Sequence, residues 1–281
     1  MWWVVRFDWC KLMVQRKSLA GLGAVVFVNL LFGVAFVMGR HDPHELQRTL
    51  SASAELLAEV FNALTYTLAI LAPCMYLLFP MTLAVLVAHT FTSEFETGAI
   101  RLLLARPTPR WKLLVGQWVV LTGYALIMLA ALLVVSYLVA ACLFKATGDL
   151  VVFGPLMGVS RGLIVHPWPA ALWRVLLAYG LAIPMLAGTV ALALMFATVT
   201  RHFASAAILT STLFFCSYVA ENLPMLSNIR PYLPVYHMLL WKWAVVETVP
   251  WARIGTDILW TAGYTALFLV VATVVYTRRD V

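Results

Sequence analysis

Ser93–Gln117 reads SEFETGAIRLLLARPTPRWKLLVGQ, a charged block set between two long apolar runs, Phe61–Phe91 and Leu113–Phe144. Neither run contains Asp, Glu, Lys or Arg. A hydrocarbon core of about 30 Å is crossed by about 20 apolar residues in a helix, so each run is long enough to span a bilayer and to project beyond it. The block between them is therefore a connection between two membrane helices. It also has helical order of its own. Ser93 and Glu96 have the Ser-x-x-Glu spacing of a capping box, and Glu94 and Glu96 suit the positive end of a helix dipole. Ile100, Leu103 and Leu104 share one helical face, from which Arg101 and Arg106 turn away. Pro107 and Pro109 end that helix, because proline cannot donate to the preceding turn and disfavours a helical residue before it. A new helix is expected from near Arg110.

Outward from this block, the chain repeats one theme. It is 63% hydrophobic and only 11% charged, against about 25% charged in soluble domains, and its apolar runs leave no room for a soluble domain. The expected class is all-α: a polytopic membrane protein forming a single transmembrane domain over 1–281. Its six spans lie near 19–38, 61–91, 113–144, 175–200, 203–220 and 258–277. Pro73 and Pro80 are expected to kink the second span. The first run is read as a retained span, since no Ala-x-Ala cleavage site directly follows it. Before it, residues 1–17 place Trp3, Phe7, Cys10 and Val14 at helical spacing with Lys11 beside the stripe, the pattern of an amphipathic helix lying in the interface. Segment 221–257 holds Pro224, Pro231, Pro234 and Pro250 around an apolar stretch, Val235–Trp241, too short to cross. It reads as a re-entrant or interfacial hairpin on the outer side. Residues 145–174 form another outer loop.

Basic residues set the orientation. With the N-terminus inside, the short inner segments carry Arg6, Lys11, Arg16, Lys17, Arg101, Arg106, Arg110, Lys112, Arg201, Arg278 and Arg279, whereas the longer outer ones are sparser in charge. The density favours both termini in the cytoplasm of a cell membrane, with a bacterial or archaeal inner membrane as the expected site. The net charge of +7 is accounted for by these flanks, which meet lipid phosphates, and does not form the basic and aromatic groove of a nucleic-acid binder.

The block from Glu94 to Gly116 resembles the first cytoplasmic loop of ATP-binding cassette type 2 transporter permeases. Glu94, Glu96, Gly98, Ile100, Leu103, Leu104, Pro107, Arg110, Leu113, Leu114 and Gly116 carry the resemblance in register. The sequence departs at Ala99, where that family has Thr, and at Gln117, where it has Lys. The N-terminal amphipathic stretch and Arg278-Arg279-Asp280 after the last run are weaker matches. The resemblance implies that residues 93–112 hold a coupling helix seated in the groove of a separate ATPase subunit. Glu94 and Glu96 would make charged contacts or cap it, and Gly98 belongs to the same docking set. Ile100, Leu103 and Leu104 would pack in the groove, and Arg101, Arg106 or Arg110 would pair with acidic residues there. It further implies that the N-terminal helix, with Trp3, Phe7 and Lys11, touches the ATPase, and that a short hairpin dips in before the last span. Two permease subunits would pair in the lipid. ATP and Mg would be bound by the partner ATPase, and no cofactor or metal by this chain.

Candidate chemistry within the chain is sparse. All 19 Lys and Arg and all 12 Asp and Glu fall outside the six spans as drawn, which disfavours a proton relay at membrane depth. No Gly-Lys dipeptide occurs, so the chain has no phosphate loop of the G-x-x-x-x-G-K type, and no H-E-x-x-H is present. Gly158-Val159-Ser160-Arg161-Gly162 spells a G-x-S-x-G with His166 close by, but that motif has meaning on a strand-to-helix elbow, and no strand pattern is evident around it. Cys10, Cys74, Cys142 and Cys216 lack metal spacing and read as small hydrophobes. Aromatic and Met side chains such as Phe61, Tyr66, Met75, Tyr76 and Met81 are able to wall a path for a hydrophobic or amphipathic compound: a drug, a peptide antibiotic or a lipid-linked molecule. The expected function is thus a permease subunit without its own motor. An ion-coupled secondary transporter, a membrane enzyme built on Ser160 and His166, and a non-transporting structural subunit stay open as alternatives.

Overall fold

The computed structural model of the chain describes residues 16–41, 62–96, 110–144, 147–153, 163–200, 202–223 and 230–278, with the single positions 6, 9, 12, 225 and 228. It is mostly helical, and six of its helical stretches are long and apolar enough to cross a membrane. In chain order these are α1 (Arg16–His41); α2 (Ala63–Pro73), which runs through a π turn at Cys74–Leu78 into α3 (Phe79–Glu96); α4 (Arg110–Leu143); α5 (Ala170–Thr200); α6 (Phe203–Asn222); and α8 (Trp251–Arg278). Between α6 and α8 lies a broken segment: single 3-10 turns at Arg230–Tyr232 and Leu240–Ala244 flank the short helix α7 (Pro234–Met238). The chain is therefore a multi-pass helical membrane protein, with its spans in the expected order.

The helices are not equivalent. α5 is the axis of the bundle, packed by α8, α3, α6, α4 and α2, with buried side chains at intervals from Ala171 to Thr198. α1, α6 and α8 are peripheral, and Phe27, Leu30, Leu31, Ile208, Phe215, Leu259 and Val270 all face outward. Between helices in lipid there is little hydrophobic driving force, so small residues and close packing hold the contacts. On α1, Gly21, Val25, Asn29 and Gly33 recur every four residues and so form one stripe. A Cβ on Gly21 would meet the Tyr124 hydroxyl at 2.6 Å, and one on Gly33 would meet Val139 and Leu143 at 3.2 Å, so this stripe seats α1 on α4. Backbone carbonyls add directional contacts across helices. Tyr66 donates to Asn29 O (2.7 Å), Tyr179 to Thr67 O (3.1 Å) and Trp118 Nε1 to Ala187 O (3.1 Å). Threonine hydroxyls, with no water to meet, bond back to the preceding turn, as at Thr67, Thr90, Thr92, Thr189 and Thr210.

Pro73 and Pro80 flank a π turn at Cys74–Leu78, itself one of the causes of helix kinks. Three expectations need correction. The helix of the second span runs on to Glu96, so Ser93 lies inside a helix and is not an N-cap, and Glu94 and Glu96 sit in its last turn, not its first. Residues 145–174 are not loop alone. β1 (Leu150–Phe153) and β2 (Leu163–His166) pair antiparallel, with Leu150 opposite His166 and Phe153 opposite Leu163, so the all-α description holds for the spans but not for this connection. Finally, α8 begins at Trp251, seven residues before the expected Ile258, and so takes Arg253 and Asp257 into the helix.

The small sheet is tied to the bundle through Asn62. This residue caps α2 by accepting from Leu64 N (3.1 Å) and Thr65 N (3.0 Å), and its amide donates to Asp149 O (2.6 Å). A Cβ on Gly148 would come within 2.7 Å of that amide nitrogen, so glycine is required for the approach. Val151 N donates to Thr65 Oγ1 (3.2 Å) from the first strand.

Candidate functional site

α2 with its π turn and α3 runs unbroken from Ala63 to Glu96, and α4 has 34 residues. At about 1.5 Å per residue each is about 50 Å long, against about 30 Å of hydrocarbon. The connection between them leaves α3 at Glu96 and re-enters α4 at Arg110. Of the expected docking residues, Glu94 and Glu96 thus occupy the end of one long helix and Arg110 the start of the next. Gly98, Ile100, Arg101, Leu103, Leu104 and Arg106 lie outside the described residues, as do Trp3, Phe7 and Lys11. Two other N-terminal side chains are placed: Leu12 is buried, and the Trp9 ring lies 2.8 Å from where a Cβ on Gly123 would stand. Lys112, just inside α4, rests over the Trp111 ring at 5.6 Å.

A cavity of about 430 Å³ lies in the half of the bundle nearer this connection and reaches its middle at Met81 and Met128. Its walls are the first turns of α1 (Ala20, Gly21), the first two-thirds of α3 (Met81, Thr82, Val85, Leu86, His89), the middle of α4 (Tyr124, Met128) and the first residue of α6 (Phe203). Met81 and Val85 are half exposed on the outside of the bundle as well as lining it, so the cavity is open sideways. No lining residue carries a full charge. The Thr82 hydroxyl bonds to Leu78 O at 2.7 Å, and Tyr124 donates to Ser18 O across the α1–α4 seam. His89 meets Phe203 edge-on at 5.9 Å. A neutral apolar ligand fits such walls, whereas a charged one would lose its hydration with no partner to replace it. A second apolar cavity, about 270 Å³, lies at the opposite end between α2, α4 and α5.

The expected path residues divide. Tyr66 and Met75 are buried in the core, and Tyr76 sits against Tyr218 (4.4 Å between ring centres) and Trp241 (5.8 Å). Met81 lines the larger cavity, and Phe61 is outside the described residues. The G-x-S-x-G letters fall between β1 and β2, in a strand-to-strand connection, and Ser160 lies outside the described residues. His166 is buried at the end of β2 with Nε2 3.2 Å from Val245 O. Burial pushes its imidazole below the ordinary value. The Val245 carbonyl opposes that shift, nearby Arg174 adds to it, and Glu247 pulls the other way. The Arg174 guanidinium itself ties α5 to the broken segment, donating to the carbonyls of Ala244 (3.0 Å), Val246 (2.7 Å) and Glu247 (2.9 Å).

Sequence reasoning missed one cluster. Asp257, expected in a loop, is a buried acid about two turns into α8. It meets His237 of α7 and Trp243 of the following 3-10 turn. The available signal was the pairing of a lone His and a lone Asp in apolar surroundings near the last span, which local periodicity does not connect.

Residues 26–281 match a family described as Protein of unknown function (DUF2705). No curated protein matches the chain.

Proposed function

The chain belongs to this DUF2705 family, and we propose that it is the membrane-spanning permease subunit of an ATP-binding cassette exporter, driven by a separate ATPase subunit. The observation that carries this reading is the pair of over-long helices, α2–α3 and α4, which end at Glu96 and start again at Arg110 and which both wall the larger cavity. A movement of α3 and α4 reaches the cavity, because both helices are among its walls. The Glu94–Arg110 block, whose sequence resembles a coupling helix, is the part an ATPase grips. Glu94, Glu96, Arg101, Arg106 and Arg110 supply charge, and Ile100, Leu103 and Leu104 fill the groove. The cargo is hydrophobic or amphipathic, in keeping with a lateral cavity of uncharged lining. Residues 230–250, broken into short turns and packed on α5, α6 and α8, belong to the outer re-entrant hairpin of 221–257, and both termini are cytoplasmic. A second permease copy or a homologous permease completes the path in the lipid, and the ATPase binds the ATP and Mg.

Co-expression with the ATPase encoded beside it, followed by affinity capture and an ATP hydrolysis assay in nanodiscs, tests the reading. A stable complex with vanadate-sensitive hydrolysis is expected, and failure to capture any neighbouring ATPase overturns it. One observation favours the ion-coupled alternative: the buried Asp257–His237 pair at the start of the last span. Transport by the purified chain alone down a proton gradient would establish that alternative.

A further inference from the structure

The broken segment is pinned to α8 at one point by a set of short polar contacts. His237 Nδ1 lies 2.8 Å from Asp257 Oδ1, and its Nε2 lies 2.8 Å from Pro231 O. Trp243 Nε1 donates to the other carboxylate oxygen at 3.0 Å. Thr261 of α8 donates to the His237 carbonyl at 3.0 Å. The imidazole also stacks on Trp260, 5.4 Å between ring centres and 16° from parallel. His237 and Asp257 are both buried.

A proton count follows from these distances. Two N···O separations of 2.8 Å each require a hydrogen between the atoms. A neutral imidazole has one N–H, and an ionised carboxylate has none. With that pair, either Pro231 O or Asp257 Oδ1 would face a nitrogen lone pair across a hydrogen-bond distance. The arrangement closes only with one more proton, which gives His237 as an imidazolium against a carboxylate, or a neutral acid against a neutral ring. Either way the site is net neutral, as an apolar setting demands, and the imidazolium form gains further from the stacked face of Trp260. No other charged group touches the ring among the described residues. On α8, Arg253 is spent on Tyr236 OH (2.7 Å) and the Trp243 face (4.2 Å). On the segment itself, Lys242 lies over Tyr76, Arg230 donates to Leu223 O and Glu247 is exposed. On α5, Arg174 is committed to the carbonyls of residues 244–247. His166, on β2, meets Val245 O. α6 carries one charged residue, Glu221 in its last turn, whose side chain lies outside the described residues. The tyrosines nearby are Tyr232, Tyr236 and Tyr264, and Tyr264 donates to Tyr232 O at 2.9 Å.

We propose that His237 and Asp257 form a proton-binding site that latches the broken segment onto the last span: the segment closes with the proton bound and loosens when it leaves. The inference rests on neither transport reading. Loss of the proton leaves a lone buried negative charge and breaks one of the two ring contacts, so rising pH favours the open segment. Acidification on the side this segment faces would hold it shut.

The test is hydrogen–deuterium exchange of the full chain in nanodiscs at about pH 5.5 and about pH 8.5, which bracket ordinary imidazole titration. Rates are corrected for the intrinsic pH dependence of exchange. Exchange across residues 234–244 is expected to rise about tenfold at the higher pH, and His237→Gln is expected to abolish that difference. Trp243→Phe, which leaves the ring contacts intact, is expected to retain it. Equal protection at the two pH values in the unaltered chain overturns the proposal, whatever the variants do. So does a difference of the opposite sign, or one that persists in His237→Gln.

Discussion

Two residues show how much of this molecule depends on contacts between distant positions. Asn62 caps α2 and at the same time holds Asp149 O, 87 positions away. Asn62→Ala removes a cap and leaves the Asp149 carbonyl short of a donor, so a loss of about 1–3 kcal/mol is expected. It is read as a lower melting temperature in detergent, with faster exchange in β1. His166 gives a pH dependence of known sign. Burial holds its imidazole below the ordinary value, so the native chain keeps it neutral while the unfolded chain protonates near pH ~6.5. Its contribution is therefore intact above that value and is lost as pH falls below it toward the depressed native value. Melting curves should show this slope on the acid side, and His166→Gln should flatten it; a slope unchanged in the variant refutes the assignment. The sign is opposite to that expected for the His237 latch, so exchange resolved by segment tells the two histidines apart. Neither role is visible in the sequence. His166 stands out there only through the letters of a serine motif, and Asn62 sits unremarked at the edge of an apolar run, because the partner of each is supplied by a remote turn.

Elements were legible where the pattern was long. Runs such as Leu113–Phe144 have a single physical reading, and the helix found, Arg110–Leu143, starts three residues earlier and ends one residue sooner. Legibility failed where tertiary partners override local composition. Trp251–Asp257 looked like loop because it follows Pro250 and carries Arg253 and Asp257. It is helix because Asp257 finds His237 and Trp243 on another element, which removes the cost of burying the acid. The strands β1 and β2 have four residues each, too few for alternation to register. Gly188 on α5 shows what packing adds. A Cβ there would stand 2.7 Å from Met238 Cε and 3.3 Å from Thr265 Oγ1, so glycine admits α7 and α8 to the axis helix together. Gly188→Ala should be tolerated, since the Met238 end is flexible. Gly188→Leu should cost about 1–3 kcal/mol by overpacking and unseat Met238, seen as greater exchange across 234–244 than across α4. Uniform loosening of the whole bundle would instead mean that Gly188 serves α5 alone.

For the whole molecule, the number and order of spans could be read from the chain, and assembly could not. Outward-facing apolar residues on α1, α6 and α8 serve equally for lipid or for a second copy, and no local pattern separates these. The proposed docking of an ATPase is different, because it names residues with opposed chemistry on one short block. Glu96 ends α3, a wall of the larger cavity, and Leu103 lies on the apolar face expected of the coupling helix. Glu96→Lys together with Leu103→Asp reverses a charge and puts another on the apolar face, while leaving every described span unchanged. Insertion and melting temperature should therefore stay near those of the unaltered chain, within about 0.5–1 kcal/mol. Docking should suffer far more. A buried charge facing an apolar groove, added to a lost ion pair, costs about 3–5 kcal/mol, or at least a hundredfold in affinity. The expected outcome is a correctly inserted permease that no longer retains its ATPase, or one that retains it while hydrolysis no longer responds to the cargo. Stoichiometric assembly with full transport in that double variant would remove the docking role from this block. The cavity would then have to be driven through another face, and the buried pair at the start of α8 is the element to test next.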